Sequence, residues 1–192
     1  MGGTFDPLHI GHLKAASEAA IAMELDRVLF VPAARPWQKS EYSHPEDRFA
    51  MTVLGAASDP RFVVSRIELD RKGPTYTLDT MTTLSERCGP GVELFFILGA
   101  DAALNLGTWR GLDELSRLMK LVAVTRPGFD LSDLVQIEGF QVQIVEISPV
   151  DVSSTQIRAA VRERGSIDGL VPRQVATYIA ERGLYRDSPG DG

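Results

Sequence analysis

The chain has 192 residues, 44% hydrophobic and 24% charged, a globular balance that excludes disordered, collagenous and coiled-coil chains. Its 20 basic against 26 acidic residues give a net charge of −6, which argues against a broad electrostatic grip on nucleic acid; any bound phosphate must be held locally. No apolar run approaches the ~18 residues of a membrane span. Cys88 is the single cysteine and can form no internal disulfide, and no basic-then-apolar leader is apparent, so a reducing cytoplasm is expected. The expected organisation is one domain over residues 1–192, with 187–192 a frayed tail.

In chain order, a glycine turn at Gly2–Pro7 leads into a helix over His12–Met23. A compact apolar run, Arg27–Pro32, precedes a polar loop, Arg35–Lys39, and a helix over Pro45–Ala57. Phe62–Ser65 reads as a strand, and the glycine-proline turn Gly73–Thr77 opens a helix over Leu78–Arg87. The strongest strand is Glu93–Leu98, apolar on both faces and followed by Gly99-Ala-Asp101. A helix over Leu112–Leu118, strands at Leu121–Val124 and Val142–Ile147, and helices over Thr155–Arg164 and Pro172–Arg182 complete the series, with Gly183 just past the last end. Fully apolar strands of this length fit a sheet covered on both sides. The expected fold is therefore α/β: a doubly wound, Rossmann-like parallel sheet with helices on both faces and a short helical C-terminal part. In such sheets ligands sit at the carboxyl ends of the strands, where the strand order reverses. One feature breaks the pattern: no strand precedes the Gly2–Pro7 turn, so the first strand is expected to be missing or truncated at Met1.

The chemistry-bearing residues follow strands. Gly2 and Gly3 permit close backbone approach to a ligand, and the helix beginning near Gly11 offers N–H groups and a positive dipole end to an anion. His9 and His12, three apart, share a helical face and can donate to phosphate oxygens; the bland alternative is a capped helix with two incidental histidines. A zinc site is weaker, because further ligands are lacking nearby. Ser153 and Gln156 form a capping-box pair, common at any helix start. Arg158 adds more: a cation near a positive dipole end is unfavourable unless an anion sits there too, so Ser153, Ser154, Thr155 and Arg158 read as a phosphate clamp. Gly99 would let a flat base approach the backbone and Asp101 would hold ribose hydroxyls, with a plain N-cap role for Asp101 equally open. Trp109 could pack over a core edge or stack on a ligand, Thr77 is a plausible helix cap, and Lys39 and Arg35 are solvated by default.

With these residues in hand, the turn Gly2–Pro7 followed by His9-x-Gly-His12 resembles the signature of the nucleotidyltransferase superfamily. The added Gly73–Thr77 turn, Gly99-Ala-Asp101, Trp109 and the Ser153–Arg158 block, in this order and spacing, resemble the bacterial nicotinate mononucleotide adenylyltransferases over nearly the whole length. The resemblance implies transfer of AMP from ATP to nicotinate mononucleotide in NAD biosynthesis, by direct in-line attack without a covalent intermediate. By the same resemblance His9, His12 and Arg158 are catalytic, and Gly3, Thr4, His12, Lys39, Gly99, Asp101, Ser153, Ser154 and Arg158 hold ATP. Thr4, Phe5, Thr75, Tyr76, Thr77 and Trp109 would receive nicotinate mononucleotide, with Trp109 stacked on the pyridine. Mg²⁺ would arrive with ATP and have no dedicated protein ligand. The partners implied are small molecules, with no nucleic acid or membrane and a homo-oligomer left open. The chain departs from the family in the Arg35–Lys39 loop, where Gln38 stands in place of a common histidine and Arg35 in place of an uncharged residue.

Rival readings keep the fold and change the acceptor to nicotinamide mononucleotide or phosphopantetheine, or transfer a cytidylyl group. His9-Ile-Gly-His12 also spells an aminoacyl-tRNA synthetase motif, but the chain is short, acidic and lacks the partner Lys-Met-Ser-Lys-Ser loop. A nucleotide-binding regulatory module would leave both histidines without purpose.

Overall fold

The computed structural model describes residues 1–34, 42–103, 105–125 and 139–186. Its elements in chain order are β1 (Gly2–Gly3), α1 (Ile10–Ala22), β2 (Val28–Pro32), α2 (Pro45–Ala56), β3 (Phe62–Val64), α3 (Thr77–Cys88), β4 (Phe95–Gly99), α4 (Ala100–Ala103), a 3₁₀ turn (Leu106–Thr108), α5 (Leu112–Leu118), β5 (Lys120–Thr125), β6 (Val142–Glu146), α6 (Ser154–Arg162) and α7 (Arg173–Arg182). The strands pair in parallel as β1-β2-β3 and β4-β5-β6. β1 lies against β4, where the Phe96 ring approaches to 3.5 Å of the place a Gly2 Cβ would take. Two fans of strands that start side by side and wind outward are the doubly wound arrangement expected from the sequence, with its switch point between β1 and β4.

Of the strand expected to be missing or truncated at Met1, two residues stand in the sheet as β1. Met1 extends it: its α-amino group donates to Leu29 O (2.9 Å), and Val31 N–H donates back to Met1 O (3.0 Å). Burial lowers the pKa of that amine to about 5. Two glycines carry no side chain to pack, which is why no apolar run announced the strand.

Period-two alternation splits the strand residues between two cores. Ile97, Val122, Val124 and Val145 point into one with Phe30 and the alanines of α1; Leu98, Leu121 and Ala123 point into the other with Met81 of α3 and Leu115 of α5. The sheet is thus covered on both faces, as its fully apolar strands require. α1 buries Ala15, Ala16, Ala19 and Ala20, small side chains that let its axis come close to the strands. A third cluster, with Ile157 of α6 and Val175 and Ile179 of α7 around Met51, fastens the C-terminal helices to α2. Pro172 stands at the N-cap of α7, one position before the helix, and Gly183 closes it with φ 61, a left-handed conformation that favours glycine.

One polar group sits at the bottom of this packing. Arg48 of α2 is fully buried, and its guanidinium donates to three main-chain carbonyls: Thr4 O (2.8 Å), Ser43 O (3.1 Å) and Ala34 O (3.2 Å). These belong to the glycine turn after β1, the residues leading into α2, and the end of β2. Arg48→Met would keep the volume and leave three buried carbonyls without their donors, at about 1–3 kcal/mol for each one that water cannot reach. Urea unfolding is expected to show a loss of at least about 3 kcal/mol; a loss below about 1 kcal/mol would mean that the carbonyls find other donors.

Candidate active site

The turn leaving β1 is built under strain. Phe5 is 2% exposed and takes φ 50, a region bulky residues avoid at about 1–3 kcal/mol. A Cβ at Gly3 would sit 2.8 Å from the Phe5 ring, so only glycine fits there. Asp6, 2% exposed, ties the turn to distant segments. Its Oδ2 accepts from Ser43 N–H (3.1 Å) and its Oδ1 from the Tyr185 hydroxyl (2.7 Å). Burial, together with the Asp6 charge, raises the pKa of that phenol.

His9 and His12 open α1 as a stacked pair, ring centroids 3.6 Å apart, with the Phe5 ring edge-on to His12 at 5.2 Å. The His9 main-chain N–H donates to His12 Nδ1 (3.3 Å). Because Nδ1 accepts, the neutral His12 ring carries its proton on Nε2. His9 is 7% exposed, and its Nδ1 is buried with no hydrogen-bond partner among the described residues. Gly11 makes room here: a Cβ would stand 3.1 Å from both the His9 ring and Val152 Cγ1, so a side chain would wedge the Val152 segment away from α1.

That segment leads into α6, whose first turn meets the same loop. Ser153 is the N-cap; its Oγ accepts from Gln156 N–H (3.2 Å), one half of the expected capping box, and donates to Gln156 Oε1 (2.9 Å), so the two side chains bond to each other where a capping box would send Gln156 back to the Ser153 main chain. Ser154 Oγ donates to Pro7 O (3.1 Å) and Arg158 Nη1 to Asp6 O (2.9 Å). Arg158 near the positive end of α6 therefore needs no anion to account for it, because the Asp6 carbonyl already holds the guanidinium in place. Two helix N-termini, two histidines and one arginine therefore converge on Thr4–His9, an arrangement suited to anionic oxygens.

Across the switch point, the carboxyl end of β4 is open. Gly99 is exposed, and a Cβ there would meet nothing within 4 Å. Asp101 lies inside α4 and so is not an N-cap; its side chain lies outside the described residues, as do Lys39, Arg35 and the 187–192 tail. Trp109 is half-buried and edge-on to Phe96 (5.2 Å, 85°), which covers Gly2. The Gly73–Thr77 turn packs beside it: the Arg110 guanidinium lies over the Tyr76 ring at 5.1 Å, and Leu78 lies against Gly111. Tyr76, not Thr77, occupies the N-cap of α3, and Thr77 is its first residue. Thr75 precedes the cap.

Asp6, Arg48 and Tyr185 were not singled out in the sequence, although all three hold the turn. Tyr185 lies 179 positions from Asp6, and nothing local marks the pair. Concavities of about 380 Å³ between α2 and α7 and about 830 Å³ beside the ends of α6 and α7 share no residue with this constellation. Among the described residues, no group of three or more His, Cys, Asp or Glu could hold a metal ion.

Burial lowers the His9 pKa from 6.5 to about 4. Between those values the unfolded chain binds a proton that the folded chain refuses, so this contribution to stability is absent at pH 4, grows as pH rises and is complete above about 6.5. Its ceiling is about 3 kcal/mol. His9→Gln should remove that component: the difference in unfolding free energy between pH 4.5 and 7 is expected to shrink, and an unchanged difference would mean that His9 titrates normally.

A cytidylyltransferase-like family model matches residues 1–160. A Salinispora tropica protein named "Probable nicotinate-nucleotide adenylyltransferase" is 50% identical over 97% of this chain and 100% of its own length. One of the same name from Corynebacterium kroppenstedtii is 52% identical over 98% of this chain and 90% of its own. In structure, the chain is similar to the Plasmodium falciparum nicotinic acid mononucleotide adenylyltransferase complexed with NaAD, with a TM-score of 0.77 at 17% identity over 96% of this chain and 94% of that one. No helix among the described residues is long and apolar enough to cross a membrane. On the extent of these matches, and with its glycine turn, paired histidines and α6 serines at the strand ends where such a fold binds ligands, the chain belongs to the nicotinate-nucleotide adenylyltransferases, a family of nucleotidyltransferase enzymes.

Proposed function

We propose that the protein transfers the adenylyl group of ATP to nicotinate mononucleotide, giving deamido-NAD and pyrophosphate in the cytoplasm. The observation that carries this reading is the meeting of the α1 and α6 N-termini on the strained Thr4–His9 turn, held there by the bonds from Ser154 to Pro7 O and from Arg158 to Asp6 O. Names of relatives at about 50% identity support the same substrate pair.

In this reading a phosphate oxygen of the mononucleotide forms a bond to the α-phosphorus of ATP as the bond to the β-phosphate oxygen breaks, and pyrophosphate departs with the electron pair. Nothing covalent passes through the protein. Its task is to align the two phosphates and to stabilise charge that grows on the leaving group; alignment alone can supply about 7–11 kcal/mol. His12 Nε2–H donates to the departing oxygens, and the buried His9 ring holds His12 in its stacked orientation while facing the same phosphates. Ser153, Ser154, Arg158 and, from its loop, Lys39 hold the ATP phosphates. Gly3 and the Thr4 and Phe5 N–H groups line the meeting point of the substrates. Gly99 admits the adenine and Asp101 the ribose. Mg²⁺ would arrive with ATP without a dedicated protein ligand and would supply neutralisation of part of the phosphate charge. On the acceptor side Trp109 stacks on the pyridine, and Thr75, Tyr76 and Thr77 receive the nicotinate end, where main-chain N–H groups at the start of α3 favour a carboxylate over an amide.

The direct test is pyrophosphate release from magnesium-ATP, with nicotinate and nicotinamide mononucleotides side by side. A strong preference for the acid is expected; equal rates would contradict the acceptor assignment. His12→Ala should lower kcat by about 10²–10³-fold with unfolding free energy nearly unchanged, the usual effect of deleting one charge-stabilising donor. Near-normal turnover would remove His12 from the chemistry. Trp109→Ala should raise KM for the mononucleotide and spare KM for ATP, whereas unchanged constants would return Trp109 to packing against Phe96.

A further inference from the structure

A half-buried carboxylate stands behind the acceptor turn and is used by nothing described so far. Glu68 lies between β3 and the Gly73–Thr77 turn. Its Oε1 accepts from Thr80 Oγ1 (3.0 Å), and Thr80, on α3, is 3% exposed. Arg71 closes the cluster from the other side. Its Nη1 donates to the same Thr80 oxygen (3.1 Å), and its Nη2 to Asp79 O and Thr83 Oγ1 (both 3.1 Å). Burial raises the Glu68 pKa, while hydrogen bonds from Thr80 and Thr75, the Arg71 charge and the Ala34 main chain pull it back. The carboxylate is thus bonded to α3 through Thr80, and Arg71, three positions on, holds the same helix at Thr80, Asp79 and Thr83.

A surface glutamate would have no reason to be desolvated against a buried threonine. Here Glu68 and Arg71, on the segment that leads into the Gly73–Thr77 turn, grip the helix which that turn opens, so the turn is closed at both ends. We infer that Glu68 is a positioning residue for the acceptor: through Thr80 it fixes the start of α3, and with it the Gly73–Thr77 turn, and so sets the affinity for the mononucleotide, without touching it. This rests on the assignment of Thr75–Thr77 to the acceptor side.

The test compares Glu68→Ala, Glu68→Gln and Thr80→Val with the unaltered enzyme, measuring KM for nicotinate mononucleotide and for ATP separately, together with Tm. A lost hydrogen bond to a charged group corresponds to about tenfold or more in affinity. Glu68→Ala is expected to raise KM for the mononucleotide by about that factor and to change KM for ATP less than about twofold. Glu68→Gln keeps an oxygen for Thr80 and should recover part of the loss. Thr80→Val, which preserves shape, should reproduce the split should Glu68→Ala fail to fold. Mononucleotide KM unchanged in both Glu68→Gln and Thr80→Val, or both KM values rising in parallel with a fall in Tm, would overturn the positioning role. Failure of the unaltered enzyme to use nicotinate mononucleotide would overturn the acceptor assignment itself, and this inference with it.

Discussion

The site depends on a guanidinium buried out of reach of water. Among the described residues no carboxylate is in hydrogen-bond contact with Arg48; its Nη1, Nη2 and Nε donate to the carbonyls of Thr4, Ala34 and Ser43. Burying a charge in this way is costly unless hydrogen bonds compensate it. Here they go to main chain, and main chain is what must be held still, since a turn with Phe5 at φ 50 would otherwise relax. Asp6 completes the clamp from within the turn, reaching Ser43 and Tyr185, while its own carbonyl receives Arg158. Both N-terminal helix ends are therefore referred to one rigid loop.

Rigidity of this kind suits a reaction in which the protein supplies no nucleophile. Aligning two anionic substrates demands donors whose positions do not relax toward either ground state. Here the N-terminal ends of α1 and α6 meet one loop between strand and helix, which is fixed by hydrogen bonds to its backbone rather than by side-chain packing alone. Belonging to the nicotinate-nucleotide adenylyltransferases is consistent with such a design, and so is the open carboxyl end of β4, where Gly99 leaves its surroundings clear.

The elements were legible in the sequence to the extent that they announced themselves by apolar content. β2, β3, β5 and β6 fall on the runs that stood out, and β4 starts two residues later than its run and extends to Gly99. α5 matches residue for residue, because its ends carry a glycine on one side and a strand on the other. β1 was invisible because glycine has no strand signal, and the short α4 because four residues have no periodicity to read. The site divides in the same way. Residues adjacent in sequence, such as His9 with His12 and Ser153 with Gln156, could be paired by spacing alone. Arg48, Asp6 with Tyr185, and Glu68 with Thr80 could not, since a charged residue in a helix or turn reads as solvated until tertiary packing closes over it. Thr77 illustrates a milder limit: a threonine beside a tyrosine is the better cap by chemistry, yet the chain puts Tyr76 there.

The proposed reaction is a direct transfer between two held substrates, with no bond to the protein at any stage. The stereochemical course at phosphorus tests it, using ATP made chiral at the α-position by a phosphorothioate, with nicotinate mononucleotide as acceptor. A single in-line displacement predicts inversion of configuration in the dinucleotide product. Retention would require two displacements and hence an adenylylated side chain, and it would contradict the account.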